Sequence, residues 1–264
     1  MIIDTHAHYD DNAYDLDRDV LLKSFPDNNI ELIVNASANL NECKATLELL
    51  DKYPFIYGML GIHPSEVCEL NDNHFKWLKD ACIDNAIYNN GKIVAVGEIG
   101  LDYYYPDPPK EIQIKWFKKQ IELAHEVDLP INIHSRDAAL ETYNILKEYQ
   151  SFNLSGIIHC YSYSKEMAKD FLSLGFSFGI GGVVTFKNAK KLVEAVEYLP
   201  LDAIVLETDA PYLSPTPFRG ERNSSLNIIY IAQKIAEIKN ISYEEVLKIT
   251  NNNAKRIYRI NANT

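Results

Sequence analysis

Short apolar runs alternate with longer amphipathic stretches along the whole chain. Eight runs have the length and apolar content of buried strands: residues 1–5, 31–36, 55–61, 93–98, 130–134, 156–159, 176–179 and 203–207. Between them lie seven stretches with helical periodicity, at 17–25, 42–53, 74–89, 109–127, 138–149, 165–174 and 189–198. In 109–127, Ile112, Trp116, Phe117, Ile121 and Ala124 fall near one stripe, while Lys115, Lys118, Lys119 and Glu122 lie mostly elsewhere. After the eighth run, 223–239 predicts a further helix, Ser242-Tyr243-Glu244-Glu245 a capping box that opens another, and 252–258 a last short one. The one long irregular stretch, 211–223, is rich in proline and glycine and directly follows Asp209, which marks it as an active-site loop. No internal repeat, low-complexity tract or linker interrupts the pattern, so residues 1–264 are expected to form a single domain.

Eight strands with crossover helices predict an α/β chain of (β/α)8 TIM-barrel type with extra C-terminal helices. An open, doubly wound sheet has the same alternation. The polar residues favour the barrel, because they sit at or just beyond the carboxyl ends of most strands, where a barrel builds its catalytic face.

The first run ends Asp4-Thr5-His6-Ala7-His8, and alternate residues of a strand project to one side, so His6 and His8 point together. Later run ends supply Gly61-Ile62-His63-Pro64, Gly97-Glu98, Ile133-His134-Ser135-Arg136, His159-Cys160-Tyr161 and Glu207-Thr208-Asp209. Five of the seven histidines thus end strands, while His74 and His125 fall in helical patterns without an assigned role. A single histidine at a strand terminus is most simply a hydrogen-bonded one. Five converging on one rim with Glu98 and Asp209 form a donor set for two divalent ions, and mixed nitrogen and oxygen donors suit zinc or manganese better than calcium, with magnesium allowed. Two ions about 3.5–4 Å apart can clamp an attacking water and an electrophile, which makes the chain a metal-dependent hydrolase. Glu98 has one oxygen for each ion, and Asp209 can bind one and accept a proton as general base.

Other polar residues admit two readings. Asp4 and Glu207 could support the ligands or fill the barrel interior. Asp102, Arg136 and Arg219 could grip phosphate or form ordinary surface ion pairs. Tyr103, Tyr104, Tyr105 and Tyr161 could stack on a base or pack at the barrel mouth, and Cys160 is expected to face the core.

Charge and cysteine content narrow the setting. Twenty-six Lys and Arg against 37 Asp and Glu leave a net charge of −11, with no basic field to gather a duplex over long range. Cys43, Cys68, Cys82 and Cys160 form no C-x-x-C pair and suit reduced thiols. No apolar run approaches the ~18 residues of a membrane span, and His6 leaves no room for a leader before it. The expectation is a cytoplasmic protein, off the membrane and without an obligate protein partner.

The blocks Asp4–His8, Gly61–Pro64, Gly97–Tyr104, His134–Arg136, His159–Ser162 and Leu206–Leu213, in this order, closely resemble the TatD family of the amidohydrolase superfamily. The resemblance runs from residue 4 to the 251–259 region. It implies a distorted TIM barrel and a deoxyribonuclease requiring divalent metal, with 3′-to-5′ exonuclease action on single-stranded DNA. Carried over by position, it places one metal on His6, His8, Glu98 and Asp209 and a second on Glu98, His134 and His159, with His63 near the scissile phosphate. It also implies an alternative, ester or amide hydrolysis such as deacylation of D-aminoacyl-tRNA. Arg136, Tyr161 and Arg219 complete the candidate substrate contacts. Two departures stand out: Tyr161-Ser162-Tyr163 where the family often has Phe-Ser-Gly, and Ser224-Ser225 where it usually has Glu-Pro, expected to alter the mouth of the site.

Overall fold

A computed structural model describes residues 1–88 and 91–260. Eight parallel strands follow one another in chain order around a nearly closed barrel: β1 (Ile2–Ala7), β2 (Ile30–Ala36), β3 (Ile56–Leu60), β4 (Ile93–Asp102), β5 (Ile131–Arg136), β6 (Gly156–Ile158), β7 (Ser177–Ile180) and β8 (Ile204–Leu206). The crossovers carry α1 (Arg18–Ser24), α2 (Leu40–Lys52), α3 (Asp72–Tyr88), α4 (Lys110–Glu126), α5 (Ala139–Glu148), α6 (Lys165–Ser173) and α7 (Lys190–Tyr198). Two further helices, α8 (Ile228–Lys239) and α9 (Tyr243–Ile257), follow β8. The expected helix 74–89 extends at its far end to Asn89, which lies outside the described residues, as do 261–264. Among the described residues no helix is long and apolar enough to cross a membrane.

The C-terminal region differs from the expectation in two places. Residues 242–258 form one helix rather than two, opened by the Ser242 hydroxyl, which accepts from Glu245 N at 3.1 Å. Nothing breaks it, because Thr250, Asn253, Ala254 and Ile257 carry the buried face straight through the polar run Asn251-Asn252-Asn253. The helix expected from 223 begins only at Ile228, after a single 3-10 turn over Ser225–Asn227.

The barrel closes between β8 and β1 largely through side chains. Asp4 accepts from Thr208 N at 3.0 Å, Thr208 Oγ1 at 2.6 Å and Ser225 Oγ at 2.6 Å. Thr5 Oγ1 donates to Leu206 O at 3.0 Å, and above them Asp209 N donates to His6 O at 2.9 Å and His8 N to Ala210 O at 2.7 Å. Asp4 is fully buried with no cationic partner among the described residues, and burial pushes its carboxyl up to about 7. It therefore belongs to the seam rather than to the metal ligands. Ser225, half of the Ser224-Ser225 departure, is buried in the same seam and bonded to Asp4 and to the Tyr9 hydroxyl, so this position shapes barrel closure and not the mouth.

Between the strands and the helical ring lies a continuous apolar core. Phe178 on β7 is fully buried there with the Tyr161 ring edge-on at 5.0 Å. Phe178→Ala should cost about 3–5 kcal/mol, read as a lower denaturant midpoint with an unchanged slope.

Candidate metal centre

At the C-terminal rim the strands deliver their polar residues into one cavity of about 620 Å³. His8, His63, Glu98, His134, Arg136, His159 and Asp209 all line it, and His6 lies fully buried beneath. β4 delivers Glu98. The β4–β5 register shifts between Val96 and Ile99, at Glu98, and such a shift re-aims a side chain. Gly100 lets the strand continue to Asp102: its φ is +143°, and a Cβ there would lie 1.9 Å from the His134 carbonyl oxygen.

Glu98 is 4 % exposed and faces two sets of imidazoles with its two oxygens. Oε2 lies 3.4 Å from His6 Nε2 and 3.8 Å from His8 Nε2. Oε1 lies 2.8 Å from His134 Nδ1 and 3.7 Å from both His159 Nε2 and His63 Nε2. Asp209 closes the first set, with Oδ1 3.4 Å from His8 Nε2, 3.8 Å from His6 Nε2 and 3.7 Å from His159 Nε2. The His6 and His159 rings stack at 3.5 Å.

These atoms fit a cation by their chemistry. His6 Nδ1 meets Asn132 Oδ1 at 3.0 Å and His8 Nδ1 meets the Ala36 carbonyl at 3.1 Å, so each ring spends its N–H on a fixed acceptor. The two Nε2 atoms are then lone-pair donors only 3.2 Å apart, with the oxygens of Glu98 and Asp209 beside them. Neutral rings in that arrangement set lone pair against lone pair. A proton or a metal ion relieves it, and the ligand atoms of His6, His8 and Asp209, like those of His6, Glu98 and His159, lie within 4.8 Å of one another.

The electrostatics agree. Burial disfavours charge at every one of these groups, but the imidazoles of His159, His63 and His6 outweigh it at Glu98 and hold its carboxyl well below the usual range. Burial is likewise outweighed at Asp209, which His8 and His159 pull down, and at His8, which Asp209 and Glu98 lift to about 9. His159 rises to about 10 against burial, driven by Glu207 and then Glu98. His63 moves the other way: burial and then His134 push it down to about 3, so it is neutral at pH 7.

Three supporting residues escaped the sequence reading or were left open by it. Asn132 orients His6 and in turn donates to the Tyr258 hydroxyl at 3.3 Å, which ties α9 to the site. Asp102 Oδ2 lies 3.1 Å from His134 Nε2. Glu207 is fully buried, with Oε1 3.0 Å from His159 Nδ1 and 2.6 Å from the donating Cys160 N. Even spacing was the available signal: Asn132 is two residues before His134, Asp102 four after Glu98, and Glu207 two before Asp209. Carboxylates and amides behind ligating histidines fix tautomer and ring angle, and losing one costs about 10–100-fold in metal affinity. Asn132→Ala should show that loss in a metal titration, with the fold intact by circular dichroism.

The remaining candidates divide. Arg136 lines the cavity from an exposed position. Tyr161 does not: it is buried against Phe178, and its hydroxyl donates to Ser164 O at 2.5 Å. Cys160 lines the cavity instead, because β6 ends at Ile158 and Cys160 turns at φ 45°, which reverses the alternation assumed for both residues. Arg219 stands over the Phe186 ring at 4.3 Å, outside the cavity lining. From the loop after Asp209, Tyr212 and Leu213 reach the cavity.

A TIM barrel whose C-terminal rim gathers imidazoles and carboxylates into one buried donor set has the architecture of a metal-dependent hydrolase. The comparisons with known proteins agree. The profile of the TatD related DNase family matches residues 3–259. The metal-dependent hydrolase YabD of Bacillus subtilis is 40 % identical over 261 residues, which cover 99 % of this chain and 100 % of YabD. The crystal structure of YjjV, a TatD homologue from Escherichia coli, matches with a TM-score of 0.91 at 28 % identity over 98 % of both chains. That of a TatD family hydrolase from Entamoeba histolytica matches at 0.87 and 25 %, over 97 % of both. The chain belongs to the TatD family of metal-dependent hydrolases.

Proposed function

We propose that this protein hydrolyses phosphodiester bonds of DNA, working from the 3′ end of unpaired strands, with two divalent cations (zinc, magnesium or manganese) as cofactors. The observation that carries this reading is the division of Glu98: one oxygen faces His6 and His8, the other His134 and His159. His6, His8, Glu98 and Asp209 would hold one ion, and Glu98, His134 and His159 the other. The name of the matching family supports DNA as the substrate.

When bound, such ions polarise the phosphoryl oxygens and acidify water. The chain's own groups do the rest. Asp209 is an ionised carboxylate at the cavity wall and accepts the proton of the attacking water. His63, neutral and anchored through Nδ1 to the Ser65 hydroxyl at 2.8 Å, keeps Nε2 for a phosphate oxygen. His134, held between Glu98 and Asp102, keeps the second set of donors in place. The cysteines are all free, which suits work in the reducing cytoplasm, and the reading needs no protein partner.

One feature favours a second substrate. Asp10, Asp11 and Glu42 line the cavity beside His8 and would attract an ammonium group, as on an aminoacyl ester. A single preparation decides between the two. Metal-loaded protein should shorten 5′-labelled single strands progressively from the 3′ end and leave D-aminoacyl-tRNA intact, and His134→Ala should abolish the digestion. Intact DNA together with deacylated tRNA would replace this reading by the second.

A further inference from the structure

Beside the cavity mouth, at the junction of β4 and α4, two tyrosines stand unusually free. Tyr104 and Tyr105 are each 56 % exposed, with their rings edge to face at 4.8 Å and 89°. The Arg136 guanidinium, at the end of β5, lies 3.8 Å from the centre of the Tyr104 ring and 5.6 Å from that of Tyr105. Arg136 is also the only Lys or Arg lining the cavity among the described residues, whose opposite wall carries Asp10, Asp11 and Glu42. The group is therefore continuous with the metal centre and occupies its cationic side.

It is also held in place. Tyr104 N donates to Asp102 Oδ1 at 2.9 Å, while the other oxygen of the same carboxylate lies 3.1 Å from His134 Nε2. Tyr103 N donates to Arg136 O at 2.8 Å, and Gln113, buried on α4, brackets Asp102 with bonds to its N and O at 2.8 Å each. One carboxylate thus fixes both a candidate metal ligand and the turn that presents the tyrosines. Exposed aromatic rings beside an arginine, on a turn of fixed position, are the elements with which proteins stack unpaired bases while the cation meets the backbone.

We propose that Tyr104, Tyr105 and Arg136 form a stacking platform for the bases of a single strand whose scissile phosphate enters the cavity. The inference rests on the phosphodiester reading and adds a path to it. The polyanionic strand leaves the metal centre over the β4–β5 side and keeps away from the acidic wall. Duplex bases are already stacked on each other and cannot lie on the rings, so the platform selects unpaired ends.

The test measures binding and turnover together. In EDTA, which prevents cleavage, the anisotropy of a labelled dT oligonucleotide should report binding weaker by about 5- to 150-fold in Tyr104→Ala, the range spanned by removal of one base-stacking ring. Tyr104→Phe, which keeps the ring, should bind within about twofold of the parent protein. With Mn²⁺ restored, Tyr104→Ala should raise KM on the oligonucleotide by a similar factor with little change in kcat. On a blunt duplex the same substitution should change KM by less than about twofold. Parent-like binding and KM in Tyr104→Ala, with the parent cleaving DNA, would overturn the platform alone. An unchanged KM with a lowered kcat would also overturn it. A parent protein that neither binds nor cleaves the strand would remove both the platform and the phosphodiester reading.

Discussion

On the proposed two-ion reading, Glu98→Gln is expected to hold one divalent ion where the parent protein should hold two, and to lose hydrolytic activity by more than about 100-fold. The Glu98 carboxylate faces the His6–His8 pair with Oε2 and the His134–His159 pair with Oε1. The amide keeps the shape and one oxygen but turns the other donor atom into an NH2 group, which cannot ligate a cation and points hydrogens at it. Loss of a mere orienting partner costs about 10–100-fold, so loss of the shared ligand should exceed that. The protein should still fold: the substitution preserves volume and keeps one oxygen among the imidazoles, although it gives up the attraction by which they outweigh burial at the carboxylate. Metal content after gel filtration, with rates measured on the same sample, gives the answer. Two ions retained, or turnover near the parent's, would show that Glu98 is not the bridge.

Asp209→Asn should lower kcat by about 10²–10⁴-fold, the usual contribution of a positioned proton acceptor, with a much smaller change in KM. The amide oxygen can still reach toward His8, 3.4 Å away in the parent, but it no longer accepts a proton at neutral pH. The pH dependence follows from the sign of the shift. Burial alone would raise the Asp209 carboxyl, but His8 and His159 pull it below its ordinary value. It is then already ionised at about pH 6 and stays so at about pH 8, so the deficit of the variant should be the same at both. A deficit that appears only at the higher pH would mean that Asp209 titrates in that range and is not held by its histidines.

Much of this centre is legible in the chain because ligands at strand ends obey simple rules. His6 and His8 are two residues apart on an extended segment and must share a face. His134, His159 and Asp209 each follow an apolar run by no more than a few residues, and parallel strands of a barrel bring such positions to one rim. Where the rules stop, the reading stops. Alternation ends with β6 at Ile158, and the turn at Cys160 sends Tyr161 to the core and Cys160 to the cavity. Asp102 lies beyond the apolar run 93–98 and so reads as a rim residue of the loop, whereas Gly100 allows β4 to pass close to β5 and continue to Asp102. Asn132 is a polar residue within an apolar run, and only the fold shows its partner, a histidine 126 positions away.

Periodicity and local order in the chain set the succession of strands and helices, the barrel class and most of the histidines and carboxylates at the rim, while the family followed from the resemblance of its motif blocks. Only the tertiary structure decided which oxygen of Glu98 meets which imidazole, which polar groups orient the ligands, and that Asp4 and Ser225 close the barrel instead of serving the mouth. Those relations join residues up to 221 positions apart. Their hydrogen bonds depend on distances of a few ångströms, which are set when the strands pack.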